Sequence, residues 1–185
     1  NELGFHIAAE YFAGGVEGGP ILPTANNLTM LAQSVSKMIA QIEPGSPSAE
    51  PVWAASEAGE ALVLAQRIAR MASSLGTPVV LQARLPGCGF LNDAIADAVA
   101  GTTLCEVKAG HRTYRSIDLR QLLTYAALNH ASSAYPITDL ALMNPRMGTY
   151  AWFSVDQIAA RSAAVAGVEL LNRIIFAVSN DAFSR

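Results

Sequence analysis

Cysteine is scarce in this sequence, charge is sparse, and long apolar runs are missing. The two cysteines, Cys88 and Cys105, have no CxxC or CxxH partner, so they fit neither a disulfide framework nor a zinc site. A reducing cytoplasm is the expected compartment. Charged residues are 15% of the chain and the formal net charge is −3, so no bulk positive field draws the protein to a polyanion. Nucleic-acid affinity would have to come from a local basic patch or from a partner. No apolar stretch approaches the length of a membrane span and no signal peptide is visible, so no membrane partner is expected. The G-x-S-x-G elbow, the P-loop and the dinucleotide glycine fingerprint are all absent, which leaves an unrelated small α/β enzyme without positive support. There is no internal repeat. The chain opens on Asn1 instead of methionine, so a piece of something longer is expected.

What is present is material for a core. Hydrophobic residues make up 51% of 185 positions, enough for one well-buried domain, or one that hides surface against a second copy or a larger complex. Residues 1–25 hold an apolar segment, LGFHIAAEYF, and a loop rich in glycine and proline. His6 is a lone histidine among apolar residues and reads as a packed or solvated side chain. A helix is expected over 26–42, capped by Asn26 or Asn27, with Leu28, Leu31, Val35, Met38 and Ile42 at helical spacing. The sequence EPGSPSAEP at 43–51 breaks the chain. It separates an expected N-terminal accessory helical region, 1–50, from a core domain, 51–185.

The core domain is expected to open with a helix capped by Ser56 and stopped by Gly76, burying Ala61, Leu64, Ile68, Met71 and Leu75. Glu57 and Glu60 sit in its first turn, where the helix dipole favours acids. TPVVLQARLPG then reads as a strand with Val79, Leu81 and Ala83 on one face. Gly87 and Gly89 make a turn into a second strand, where Leu91, Asp93, Ile95, Asp97 and Val99 share a face if the strand is regular. Gly101 turns the chain into a third strand, TTLCEVKA, with Leu104, Glu106 and Lys108 on one side and Cys105, Val107 and Ala109 on the other. A hairpin there brings Asp97 beside Glu106. Two carboxylates and a lysine converging on an apolar strand are costly unless paired or bound to an ion, and they are what a divalent cation and an attacked phosphate require. Asp93 is the rival acid, assigned to the hairpin or to solvent.

Beyond the third strand lies the only basic cluster, Lys108, Arg112, Arg115 and Arg120, with His111 among them. A helix capped by Ser116 follows, with Gln121 and Tyr125 four apart on one face. A strand, a turn at Asn144-Pro145-Arg146 and a second short strand come next. The last element is read as one largely buried apolar helix with a capping box at Ser154 and Gln157.

Asp97 followed by Glu106-Val107-Lys108 resembles the D…(D/E)xK signature of the PD-(D/E)XK nuclease superfamily. Gln121 through Tyr125 resembles the QxxxY motif of its RecB-like branch. Ala96 stands where the superfamily's name has proline. The resemblance covers about two-thirds of the chain, from residue 56 onward. It implies an α/β fold with a restriction-endonuclease-like α-β-β-β-α-β core, a mixed central sheet flanked by helices. It implies metal-dependent hydrolysis of phosphodiester bonds in DNA, RNA not being excluded, with Asp97, Glu106, Val107 and Glu60 holding Mg²⁺ or Mn²⁺. Lys108 would assist the attacking water, and Gln121 and Tyr125 would position the metal shell or the phosphate. Arg112, Arg115 and Arg120 are placed to hold the nucleic-acid backbone. The setting implied is recombination, repair or defence against phage, in a prokaryotic or viral source. The alternative is a non-catalytic nucleic-acid-binding or assembly module of the same fold, which the acidic charge and apolar terminal helices favour.

Overall fold

The computed structural model describes residues 2–13, 55–89 and 91–179. The expected helix over 26–42 and the loop at 43–51 lie outside the described residues. The chain divides into two compact units, Asn1–Arg70 and Met71–Arg185, a division that runs through the helix at which the core domain was expected to begin. In the first unit, α1 (Glu2–Ala13) meets α2 (Ala55–Leu75) through a glycine. A Cβ on Gly4 would stand 2.9 Å from the Leu64 Cβ and 3.1 Å from the Ala61 carbonyl oxygen, so any larger residue would push the helices apart. Ile7 and Ala8 are buried, as are Ala61, Leu64 and Ala65. His6 is half-buried and meets the Phe5 ring edge-on.

Helix α2 buries Ala61, Leu64 and Ile68 of the expected stripe, with Ala65, Ala69 and Ala72 added to it, while Met71 and Leu75 are half-buried. It starts at Ala55, so Ser56 falls inside the first turn and is not its cap. It ends at Leu75, before Gly76. That glycine is needed for close approach: a Cβ there would lie 2.6 Å from the Ala100 carbonyl oxygen.

The second unit is built on a five-stranded mixed sheet in the order β1-β2-β3-β4-β5. Its strands are β1 (Val79–Leu85), β2 (Ala94–Ala100), β3 (Thr103–Val107), β4 (Asp139–Asn144) and β5 (Thr149–Ser154). Neighbouring pairs are antiparallel except β3 and β4, which run parallel. A parallel pair needs a crossover, and α3 (Ser116–Ser132) supplies it. The β4–β5 turn forms where expected: the buried Asn144 accepts the Met147 N–H through Oδ1 (3.0 Å) and donates from Nδ2 to the Gly110 carbonyl (2.8 Å). One face of the sheet packs Val99, Leu104, Leu140 and Leu142 against Leu122, Ala126 and Leu128 of α3. The other packs Ala98, Ala100, Cys105, Ala141 and Met143 against Met71, Ala72 and Leu75, the end of α2.

Strands β1 and β2 do not keep to one face, and this corrects the expected alternation. Leu81 joins the α2 side while Ala83 joins the α3 side. In β2 the switch falls between Ala98 and Ala96. The register runs Leu81↔Ala98, then Ala83↔Ala96, with Gln82 and Asp97 at the step between them. Gln82 has φ +52°, a left-handed conformation that costs a residue with a Cβ roughly 1–2 kcal/mol. Ile95, expected to share a buried face with Val99, is therefore 58% exposed while Val99 is 3% exposed.

Three further differences concern helix ends. Arg115, not Ser116, is the N-cap of α3; its N–H donates to the Asp118 carboxylate at 2.9 Å, closing the first turn from inside the helix. The expected single terminal helix is two, α4 (Val155–Ala163) and α5 (Gly167–Ser179), bent by 71°. Ser154 caps α4 as its capping box predicts. The chain bends through Ala164 at φ +54°, and the Gly167 N–H donates to Asp156 Oδ1 at 2.7 Å. Nor is α5 largely buried: Val168 is 58% and Phe176 70% exposed. Among the described residues no single helix is long and apolar enough to cross a membrane.

Candidate active site

The β2–β3 ladder ends at Ala98↔Cys105, one residue before Asp97 would meet Glu106. There a side chain takes over from the main chain. The Asp97 carboxylate accepts the Val107 N–H through Oδ2 at 2.6 Å. Glu106 faces α3 from the same strand, 3% exposed. Its Oε1 accepts from Lys108 Nζ at 2.6 Å, and the same ammonium donates to Gln121 Oε1 at 3.0 Å. Gln121 Nε2 in turn donates to the Tyr125 hydroxyl at 3.0 Å. Tyr125 thereby fixes the amide with its oxygen toward Lys108. The structure thus brings Glu106, Lys108, Gln121 and Tyr125 into one hydrogen-bonded run, with Asp97 anchored to the residue between Glu106 and Lys108.

Burial and the charge of Asp97 push the Glu106 carboxyl up to about 7, against the pull of Lys108. Burial first, then Asp97, also pushes the Cys105 thiol up to about 12, which makes it inert. Glu106 Oε2 is buried without a hydrogen-bond partner among the described residues. A buried carboxylate oxygen left bare is expensive, and a divalent cation is the ligand that would relieve it. The donor set fits a hard cation: carboxylate oxygens, and at Val107 only a main-chain carbonyl. Among the described residues no group of three or more His, Cys, Asp or Glu side chains gathers, so water and a phosphate oxygen would complete the shell, as Mg²⁺ prefers. Glu60 is exposed on α2 in the unit that ends at Arg70, while the other expected ligands lie in the unit that begins at Met71.

The rival acid Asp93 serves the hairpin, accepting the Gly87 N–H at 2.8 Å. The basic cluster separates into different jobs. Arg112 is committed to a two-point ion pair with the buried Asp118, Nη1 to Oδ2 at 2.6 Å and Nη2 to Oδ1 at 2.8 Å. Arg115 and Arg120 are exposed, and Arg120 reaches the Ser116 hydroxyl at 3.5 Å. Arg146 donates from Nε to the Ala109 carbonyl at 3.1 Å. Asn144, Arg146 and Tyr114, whose hydroxyl donates to the Thr149 carbonyl at 2.9 Å, together tie the 109–114 loop to the β4–β5 turn.

The sequence reading missed Asp118, whose signal was its place at the third position of α3 with a basic residue six before it. The Arg112 guanidinium holds the Asp118 carboxyl down at about 2. A carboxyl lowered from its usual range stabilises the fold above that range, and the contribution disappears as pH falls through about 2. Because Arg112 is 36% exposed, screening trims the effect. Asp118→Asn should cost about 1–2 kcal/mol at pH 7 in urea unfolding, and the deficit should close near pH 2. An unchanged midpoint at pH 7 would contradict the pair's role. Comparison of the chain with family models, with curated proteins and with solved structures finds no match in any of the three.

Proposed function

We propose that the chain is a divalent-metal-dependent nuclease hydrolysing DNA phosphodiester bonds at the site formed by Asp97, Glu106 and Lys108. The observation that carries this reading is the connected run from Glu106 through Lys108 and Gln121 to Tyr125, with Asp97 on the adjoining amide. Residues that resembled separate motifs in the sequence share one set of hydrogen bonds. The order α2, β1, β2, β3, α3, β4 supports it too, since it reads α-β-β-β-α-β with β3 and β4 parallel.

Asp97, Glu106 and the Val107 carbonyl would hold Mg²⁺ or Mn²⁺, which supplies Lewis-acid activation and charge neutralisation at the phosphate. Lys108 is a compact charge held at fixed reach by Gln121, suited to orient the attacking water or offset charge growing on the phosphate oxygens. Gln121 keeps that ammonium from collapsing wholly onto Glu106, and Tyr125 keeps Gln121 in register. Arg115 and Arg120, exposed near the start of α3, would contact the backbone of the nucleic acid. With net charge −3, a partner protein or a further copy would supply the rest of the affinity.

The second reading, a non-catalytic binding or assembly module, draws on the acidic charge and on Arg112 being taken up by Asp118. Incubation of the protein with single-stranded, duplex and circular DNA, with Mg²⁺ or Mn²⁺ and with chelator, tests between them. Cutting that requires metal supports the nuclease, and the substrate pattern distinguishes endonuclease from exonuclease. Binding without cutting of any substrate supports the module.

A further inference from the structure

We propose that the open edge of β5 is a pairing surface for a second copy of this chain, joined antiparallel about Ala151 so that Tyr150 of each copy faces Trp152 of the other. Neither metal nor nucleic acid enters this pairing, so it stands apart from the nuclease reading.

Strand β5 is the last in the sheet order, so one side of its main chain meets no strand. Which groups point outward follows from the bonds made inward. The Lys108 N–H donates to the Met143 carbonyl at 2.8 Å, so Met143 turns its main-chain groups toward β3. Alternation turns those of Leu142 and Asn144 toward β5, where Ala151 and Thr149 are their partners. The Val155 N–H, donated to the Thr138 carbonyl at 3.0 Å, keeps the same parity. Tyr150 and Trp152, which alternate with these residues, therefore present their N–H and C=O groups to the outside. The outward row stops at both ends. The Ser154 N–H donates to Gln157 Oε1 at 3.2 Å, and Gly148 at φ +66° belongs to the turn.

A two-fold axis perpendicular to the sheet keeps the faces of two copies aligned, so only residues of one parity can stand opposite each other. With the outward row limited to Tyr150 and Trp152, one register uses all of it. Tyr150 exchanges both main-chain bonds with Trp152 of the second copy, on either side of a central Ala151 pair. Setting Trp152 against itself would place Tyr150 opposite Ser154, whose N–H is already taken. The side chains agree with this choice. Tyr150 and Trp152 share a face beside Met143 and Ala141 and are 55% and 49% exposed. The register gathers four aromatic rings as two cross-strand pairs. From Met147 through Val155 no residue is charged and none is proline, so β5 carries none of the usual guards against edge pairing. The opposite edge does: β1 follows Pro78, exposes Arg84 and has Gln82 at φ +52°.

Four half-exposed rings bury on the order of 400 Å², a fraction of the roughly 1,200–2,000 Å² of a standard interface. Sedimentation equilibrium of the full chain over about 1–300 µM should therefore show monomer and dimer exchanging with a Kd of about 10–100 µM. Trp152→Lys should weaken the dimer by about tenfold or more, since an edge lysine opposes pairing. In a Cys88→Ser background, Ala151→Cys should cross-link two copies on mild oxidation. Facing Cα atoms of a non-hydrogen-bonded pair lie about 4.5 Å apart, within disulfide reach. Thr149→Cys should not cross-link, because its two copies would lie about 14 Å apart. A wild type monomeric throughout, a dimer untouched by Trp152→Lys, or equal cross-linking of the two cysteine variants overturns the proposal. If Trp152→Lys does not fold, the two cysteine variants decide the register alone.

Discussion

Glu106→Gln should abolish cleavage and weaken Mn²⁺ binding by more than about 100-fold, beyond the range that outer-shell partners alone command, and should make the metal-free protein more stable at pH 8. The two effects have one source. Glu106 is buried beside Asp97, and its carboxyl is pushed up to about 7 from an ordinary value of 4.5. Stability from a carboxyl raised in this way is fully present below about pH 4.5 and is lost as pH rises through about 7. Ionised Glu106 therefore costs the metal-free fold on the order of 3 kcal/mol at pH 8. Glutamine has nearly the same shape and no charge, so urea unfolding of the variant should lose most of the wild type's decline between pH 5 and pH 8. Mn²⁺ should stabilise the wild type at pH 8 and leave the variant unmoved. Undiminished metal affinity in Glu106→Gln would remove Glu106 from the ligand set.

Lys108→Ala should lower the cleavage rate by about 10³-fold, the scale on which a single electrostatic stabiliser acts, while leaving metal binding within a few-fold of wild type. Its ammonium touches Glu106 Oε1 and Gln121 Oε1 and supplies no ligand atom. Without it, Glu106 loses the neighbour that lowers its pKa and titrates higher still, so the comparison of metal affinities belongs well above pH 7. Gln121→Ala should produce a milder loss of the same kind, since it frees Lys108 without deleting the charge. Full activity in Lys108→Ala would exclude it from the mechanism, and loss of metal binding at high pH would recast it as a structural residue.

The candidate site was legible largely because its residues are close in sequence and carry charge into apolar surroundings. The hairpin at Gly101, with φ +58°, carries Asp97 back toward Glu106 and Val107, and period-two alternation puts Glu106 on the Leu104 side of β3, the side that packs against α3. Gln121 and Tyr125 could be aligned from helical spacing alone. What alternation could not show was the break in it. Nothing in VVLQARL announces that Gln82 takes a left-handed conformation, and only the tertiary fit of β1 on β2 makes the kink visible. The same limit applies to Arg112. A cluster of basic residues reads as a phosphate patch until Asp118, one turn into the next helix, is seen to take one of them. The terminal helix was misread because its apolar residues continue across the bend. Ala164 supplies no breaker signal, and the bend is secured by the Gly167 N–H donating to Asp156.

A Mn²⁺ titration of the metal-free wild-type protein at pH 6 and at pH 8, followed by electron paramagnetic resonance, tests the metal site directly. Binding must displace the proton that buried Glu106 holds below about pH 7. Saturable binding is expected, about tenfold tighter at pH 8 than at pH 6 and lost in Glu106→Gln. Absence of saturable binding at either pH, or binding that survives Glu106→Gln unchanged, would contradict the metal site.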